Sequence, residues 1–202
     1  MGHALTHAAM EPARLLATDL ACRRGERLLF RGVSFALEPG EALQVTGPNG
    51  AGKSSLLRIL AGLLRPWAGT VERVGEVALL DERLALDGHL PLGRAFDFWS
   101  RIDGGGEPGK LRIGGLDRLA DVPVRFLSTG QRKRAAIMVS NGHGAGIWLL
   151  DEPLNGLDTD AAADFQTQLR GWLRLGGIAV IASHQPFELV EPRRLAIESY
   201  AP

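Results

Sequence analysis

One cysteine, Cys22, in 202 residues excludes an internal disulfide, which suits a reducing compartment and not a disulfide-braced scaffold. Surplus charge is missing as well. The 23 Lys and Arg balance 23 Asp and Glu, so nothing argues electrostatically for a nucleic-acid partner, and none is expected. No uncharged apolar run approaches the roughly 20 residues that cross a bilayer. Met1 to Glu11 lack the charged n-region and long apolar h-region of a signal peptide. The expectation is a short N-terminal extension over residues 1–12, followed by a cytosolic chain that does not itself span a membrane. Lysine is nearly absent, with only Lys53, Lys110 and Lys133.

What is present is apolar substance: 45% hydrophobic residues suffice for a sizeable core, and 13–202 reads as one globular domain. Its most informative stretch runs from Ala42 to Gly62. An apolar segment, Ala42 to Val45, leads into Gly47-Pro48-Asn49-Gly50-Ala51-Gly52-Lys53-Ser54-Ser55, and Ser54 to Leu60 then carries apolar residues at helical spacing. Strand, glycine loop and helix around Gly-x4-Gly-Lys-Ser form the P-loop pattern. The residue types follow from a triphosphate. Glycines at 47, 50 and 52 let successive backbone N–H groups converge on phosphate oxygens where a Cβ would obstruct them. The helix N-terminus adds positive potential. Lys53 reaches the β- and γ-phosphates, and the Ser54 hydroxyl ligates magnesium. One of the three lysines thus sits in this loop.

Elsewhere the chain alternates strand and helix signals. Leu15 to Cys22 and Val33 to Leu37 read as antiparallel strands around the polar turn Arg23 to Glu26, and Pro39-Gly40 turns toward the P-loop strand. Two short strand-like runs flank Gly75. Asp87 to Ile137, by contrast, reads as a helical insertion: Leu92, Ala95, Phe96, Trp99 and Ile102 lie at helical spacing, and a second helix is expected over Leu111 to Ala120. Between them, 103–109 reads as a glycine-rich loop.

Four further constellations follow. Ser128, after Leu127, is an N-cap for a helix from about Thr129, which brings Thr129, Gly130 and Gln131 to a second anion-seeking helix tip. Ile147 to Leu150 is a buried strand ending in Asp151 and Glu152, and strand alternation would send these acids to opposite sides, one to metal and one to water. Asn155 to Asp158 is a loop, with Asp158 capping a helix from Ala161 to Leu175. Strand Ile178 to Ala182 ends at Ser183-His184-Gln185-Pro186, where open α/β sheets gather ligand sites.

In order and spacing these pieces resemble the ATP-binding cassette (ABC) ATPase family, from about Ala13 to about Glu188. Gly47 to Ser54 looks like Walker A, Leu127 to Gln131 like the signature motif, Leu149 to Glu152 like Walker B, Asn155 to Asp158 like the D-loop and His184 like the H-loop. The resemblance implies an α/β P-loop NTPase (RecA-like) core with an antiparallel β subdomain and a helical subdomain, here about 87–137. It also implies ATP and Mg2+ as ligands, with Ser54 and Asp151 on the metal. A head-to-tail homodimer follows, in which Ser128 and Gly130 of one copy meet the γ-phosphate held by the other. Glu152 polarises the attacking water, and His184 contacts the γ-phosphate.

Two positions depart from the family. Leu80 to Leu86 contains no glutamine where the Q-loop belongs, so that metal contact and coupling route are not carried over. Arg24 stands near the usual adenine-stacking aromatic, so it would either stack as a cation, worth about 0.5–2 kcal/mol, or point into solvent. The short length, Arg24, Leu-Ser-Thr-Gly-Gln-Arg and Ser-His-Gln-Pro are most similar to the CcmA group, ATP-binding subunits of the haem exporter in cytochrome c maturation. That implies integral membrane subunits as partners and a peripheral site on the cytoplasmic face of the bacterial inner membrane. The alternatives are the ATPase subunit of another ABC transporter, or a soluble ABC ATPase acting on ribosomes or DNA. The second usually has two cassettes or long coiled coils, and neither is found here.

Overall fold

Strands that are apolar on both faces fit only where both faces are covered, and that condition shapes the core. The computed structural model describes residues 12–81, 85–102, 115–140, 146–185, 187 and 193–202. Among the described residues eight strands form two sheets. β1 (Arg14–Arg24), β2 (Arg27–Leu37) and β4 (Ala68–Val74) form an antiparallel sheet in the order β2-β1-β4. β3 (Ala42–Thr46), β5 (Val77–Leu80), β6 (Ile147–Asp151), β7 (Ile178–Ala182) and β8 (Arg193–Ala196) form a parallel sheet in the order β5-β6-β7-β3-β8. Every residue of β6 and β7 is buried.

The β1–β2 hairpin is tighter than the residue pattern suggested. Arg24 pairs with Arg27, so only Gly25 and Glu26 make the turn, with Gly25 at φ +57°. A two-residue hairpin turn needs positive φ, which glycine adopts without a steric penalty. β2 therefore begins at Arg27, well before the expected Val33.

Four helices are described: α1 (Lys53–Leu60), α2 (Leu92–Ile102), α3 (Thr129–Ser140) and α4 (Thr159–Arg174). α1 fills the space between the two sheets, where Leu56, Leu57, Ile59 and Leu60 join Leu15, Phe30 and Val33 from the antiparallel sheet and Val45 and Val180 from the parallel one. α4 covers the opposite face of the parallel sheet, placing Phe165 and Leu169 against Trp148 and Ile181. Leu92, Ala95, Phe96, Leu116, Val124, Leu127 and Ala135 form a separate core for the helical part of the chain.

The expected helix over Leu111 to Ala120 requires correction. Residues 111–114 lie outside the described residues, as does the expected 103–109 loop. From Gly115 onward the chain makes a turn at φ +65° and a short 3-10 helix, Asp117–Leu119. Left-handed backbone at Gly115 is incompatible with α-helix. Among the described residues no helix is long and apolar enough to cross a membrane.

Candidate functional site

β3, β7 and β6 are consecutive neighbours in a parallel sheet, so their carboxyl ends open on one edge. The glycine loop, Ser183-His184 and Asp151-Glu152 leave from those three ends. Residues far apart in sequence are thereby brought to one cleft, the place where open α/β sheets bind ligands.

The loop has the backbone its glycines permit. Gly47, Gly50 and Gly52 lie at φ +141°, +78° and +110°. Gly52 also has little room for a side chain, because a Cβ there would sit 3.0 Å from the Phe30 ring and 3.3 Å from Leu29 Cβ, and those side chains would have to give. Ala51 N donates to Pro48 O at 3.2 Å, which tightens the turn before α1. Lys53, only 7% exposed, donates from Nζ to Gly47 O at 2.7 Å and Pro48 O at 3.3 Å. The ammonium is therefore satisfied by main-chain carbonyls at the loop's centre.

Asn49, Gly50, Gly52, Lys53, Ser54, Ser55, Asp151 and Glu152 line a single cavity of about 220 Å³ with Leu29. The two acids do not part as simple strand alternation required. β6 ends at Asp151, and Glu152 adopts φ +44°, a conformation costly for a residue with a Cβ. Glu152 N donates to Ala182 O at 2.8 Å, which anchors this turn to β7. Both carboxylates thus border the cavity, and Glu152 also borders a neighbouring space of about 360 Å³ lined by Asp81, Thr129, Arg132, Lys133, Ala136 and Asn155. The Ser54 hydroxyl and Asp151 carboxylate are hard oxygen donors in one cavity, a pair that fits magnesium held jointly with phosphate. Among the described residues no group of three or more His, Cys, Asp or Glu could hold a metal by itself.

His184 comes to the same place. Its Nδ1 lies 3.0 Å from Glu152 Oε2, with the imidazole 58% exposed and the carboxylate 12% exposed. The structure therefore joins Lys53, Ser54, Asp151, Glu152 and His184.

None of Ser128, Thr129, Gly130 and Gln131 lines the glycine-loop cavity; of the four, Thr129 borders the neighbouring space that Glu152 also lines. They form the tip of α3, where Ser128 and Thr129 are exposed and Gly130 and Gln131 half-buried. Gln131 N donates to Ser128 Oγ at 3.2 Å, and Ser128 N donates to Gln131 Oε1 at 2.9 Å. This reciprocal capping box fixes the tip; the sequence reading had identified only its serine half. Asp158 caps α4, accepting from Ala161 N at 2.8 Å, and starts that helix two residues before the expected Ala161.

Arg24 is exposed and does not line the cavity. The neighbouring Arg23 instead lies 4.9 Å from the Trp67 ring centroid and pairs with Glu26. Cys22 is 1% exposed. Burial pushes its thiol above the ordinary value, opposed by a side-chain hydrogen bond with Ser55 and by the charge of Arg24. Because the folded value is raised, the thiol's stabilising contribution is complete below its unfolded value and fades as pH rises through the folded one. A thiol reagent at mildly alkaline pH is expected to label the native protein at no more than about a hundredth of its rate in denaturant. Comparable rates would place Cys22 at the surface.

Residues missed from the sequence include Leu29, which reaches the cavity from β2, Gln44 within β3, Gln185, and Lys133, whose Nζ donates to Asp151 O at 3.4 Å. Gln44 alone gave a usable signal, as a polar residue inside an apolar strand.

Residues 30–90 match a family model described as ABC transporter. A "Cytochrome c biogenesis ATP-binding export protein CcmA" of Novosphingobium aromaticivorans is 58% identical, over 96% of this chain and 100% of its own length. The protein of the same description in Zymomonas mobilis is 47% identical, over 93% of this chain and 86% of its own. A solved structure described as the ATP-binding subunit of an ABC transporter superposes with a TM-score of 0.77 at 23% identity, covering 84% of this chain and 79% of that one; this likeness speaks for the fold.

Proposed function

The chain belongs to the CcmA family of cytochrome c biogenesis ATP-binding export proteins, within the ABC transporter ATPases, and on that premise we propose that it is the ATP-hydrolysing subunit of the haem exporter serving c-type cytochrome biogenesis. The observation that carries the chemistry is the meeting of Glu152 and His184, 3.0 Å apart, at the mouth of the cavity lined by Lys53, Ser54 and Asp151. We read 13–202 as one nucleotide-binding domain with its helical subdomain at about 87–137, after an N-terminal extension.

In this reading Lys53 exchanges its carbonyl partners for the β- and γ-phosphates of ATP, and the loop's N–H groups bind the remaining oxygens. Ser54 and Asp151 hold Mg2+, which would neutralise phosphate charge when bound. Glu152 orients and deprotonates water, and His184 stands between that carboxylate and the γ-phosphate. The α3 tip, absent from its own chain's glycine-loop cavity, supports a head-to-tail homodimer in which Ser128 and Gly130 complete the partner's site. Arg24, the last residue of β1, is exposed and would meet adenine only as a stacking cation.

Glu82, Arg83 and Leu84 of the glutamine-free segment lie outside the described residues. At its start, Asp81 pairs with Arg58 of α1 at 3.3 Å, which ties this linker to the P-loop helix. In the same reading the subunit works peripherally on the cytoplasmic face of the bacterial inner membrane, bound to integral membrane subunits.

Isolation of the tagged protein from its native membranes should recover membrane subunits of the cytochrome c maturation system, at levels that fall when those subunits are deleted. Recovery of a different permease, of ribosomes or of DNA would overturn the assignment.

A further inference from the structure

We infer that Gln185 and the buried Gln44 are positioning residues for His184, and that Gln185 ties the histidine's turn to the Asn155–Asp158 loop on which the α3 tip leans; the inference rests on the ATPase reading of the site.

Gln44 lies in mid-β3 and is 3% exposed, between the fully or nearly fully buried Leu43 and Val45. An amide in such a place costs free energy unless it is hydrogen-bonded. Its Nε2 donates to Gln185 O at 2.9 Å, while its Oε1 has no protein partner among the described residues. The bond that this buried amide does make grips the residue after His184. From the other side, Gln185 N donates to Ser183 Oγ at 3.0 Å. Ser183 N in turn donates to Val45 O at 3.2 Å. The main chain is thereby held on both flanks of His184, whose ring is otherwise more than half exposed and touches Glu152.

The Gln185 side chain points elsewhere. Its Nε2 lies 3.4 Å from Asn155 Oδ1, and Asn155 N donates to Glu152 O at 3.2 Å. The next residue, Gly156, is in close contact with the α3 tip. A Cβ at Gly130 would sit 2.8 Å from Gly156 O, and a Cβ at Gly156 would sit 3.1 Å from Thr129 Cγ2. Contacts therefore run without a gap from the tip through Gly156, Asn155 and Gln185 to His184 and Glu152. In the dimer the tip serves one cleft while His184 serves the other. A shift of the tip on one phosphate then bears on the histidine at the second.

Contiguity becomes coupling only when energies fail to add, so the test is a double-mutant cycle in the full chain. Gln185→Ala, Asn155→Ala and the double variant are compared for ATP turnover and ATP affinity. Each single change should lower kcat by about three- to tenfold, the rate equivalent of one modest hydrogen bond. ATP Kd should stay within about twofold, because neither residue lines the glycine-loop cavity. The double variant should fall no further than the weaker single one. Losses that multiply, or an unchanged kcat, would overturn the tie. Gln44→Leu, which keeps the strand apolar, should reproduce the kcat loss without weakening ATP binding, and an unchanged kcat there would remove Gln44 from the role. Glu152→Gln run in parallel separates the two levels. If it turns over normally, the site reading fails; if it is inactive while Gln185→Ala is normal, only the tie fails.

Discussion

Glu152→Gln is expected to bind ATP with near-normal affinity and to hydrolyse it about 10²- to 10⁴-fold more slowly, the usual cost of losing a positioned general base. The substitution is nearly isosteric, so the φ +44° turn and the bond from residue 152 N to Ala182 O are retained. Lys53, the glycine loop and Ser54 are untouched, which preserves the groups that meet phosphate. What changes is basicity: an amide cannot take a proton from water, although it can still contact His184. Nucleotide should therefore accumulate as bound ATP. The measurement pairs equilibrium binding with phosphate release, and near wild-type turnover would remove Glu152 from the role.

The second large effect concerns the shared site. Lys53→Ala removes the loop's only cation, and Gly130→Val places a branched side chain where even a Cβ would lie 2.8 Å from the Gly156 carbonyl. A main-chain oxygen cannot swing aside as a side-chain end can, so the α3 tip must be displaced. Each variant alone should retain no more than about a hundredth of wild-type activity. Mixed and allowed to exchange subunits, they should regain activity at least about tenfold above either alone. A mixed dimer concentrates both defects in one cleft and leaves an intact glycine loop facing an intact tip in the other. No recovery on mixing, with exchange verified by tagged subunits, would sink the in-trans arrangement. The basis for expecting recovery is that Ser128 and Gly130, at the tip of α3, do not border their own chain's glycine-loop cavity.

How far the sequence could be read depended on the range of the interactions. The glycine loop was legible because its requirements are local: positive φ at Gly50 and Gly52, a strand before and a helix after. The capping serine at 128 and capping aspartate at 158 were legible for the same reason, since a cap and its N–H donor lie within three residues. The helix expected over Leu111 to Ala120 failed in its described part because apolar spacing was allowed to outweigh the left-handed backbone at Gly115. The early start of β2 was missed because two flanking arginines disguised a two-residue hairpin. Gln185 looked like part of a local motif, and nothing in it announced the bonds to Gln44 and Asn155.

The order of motifs along the chain, the need for backbone N–H groups around phosphate and the absence of a disulfide were written in residue order alone, because each depends on neighbours a few positions away. Only the folded sheet decided that Glu152 turns out of its strand beside Asp151, that His184 meets it, and that Ser128 and Gly130 stand outside their own chain's glycine-loop cavity. Those outcomes depend on which strands lie side by side. The order β6-β7-β3 satisfies the burial of three largely apolar strands at once, and this long-range condition brings their carboxyl ends together.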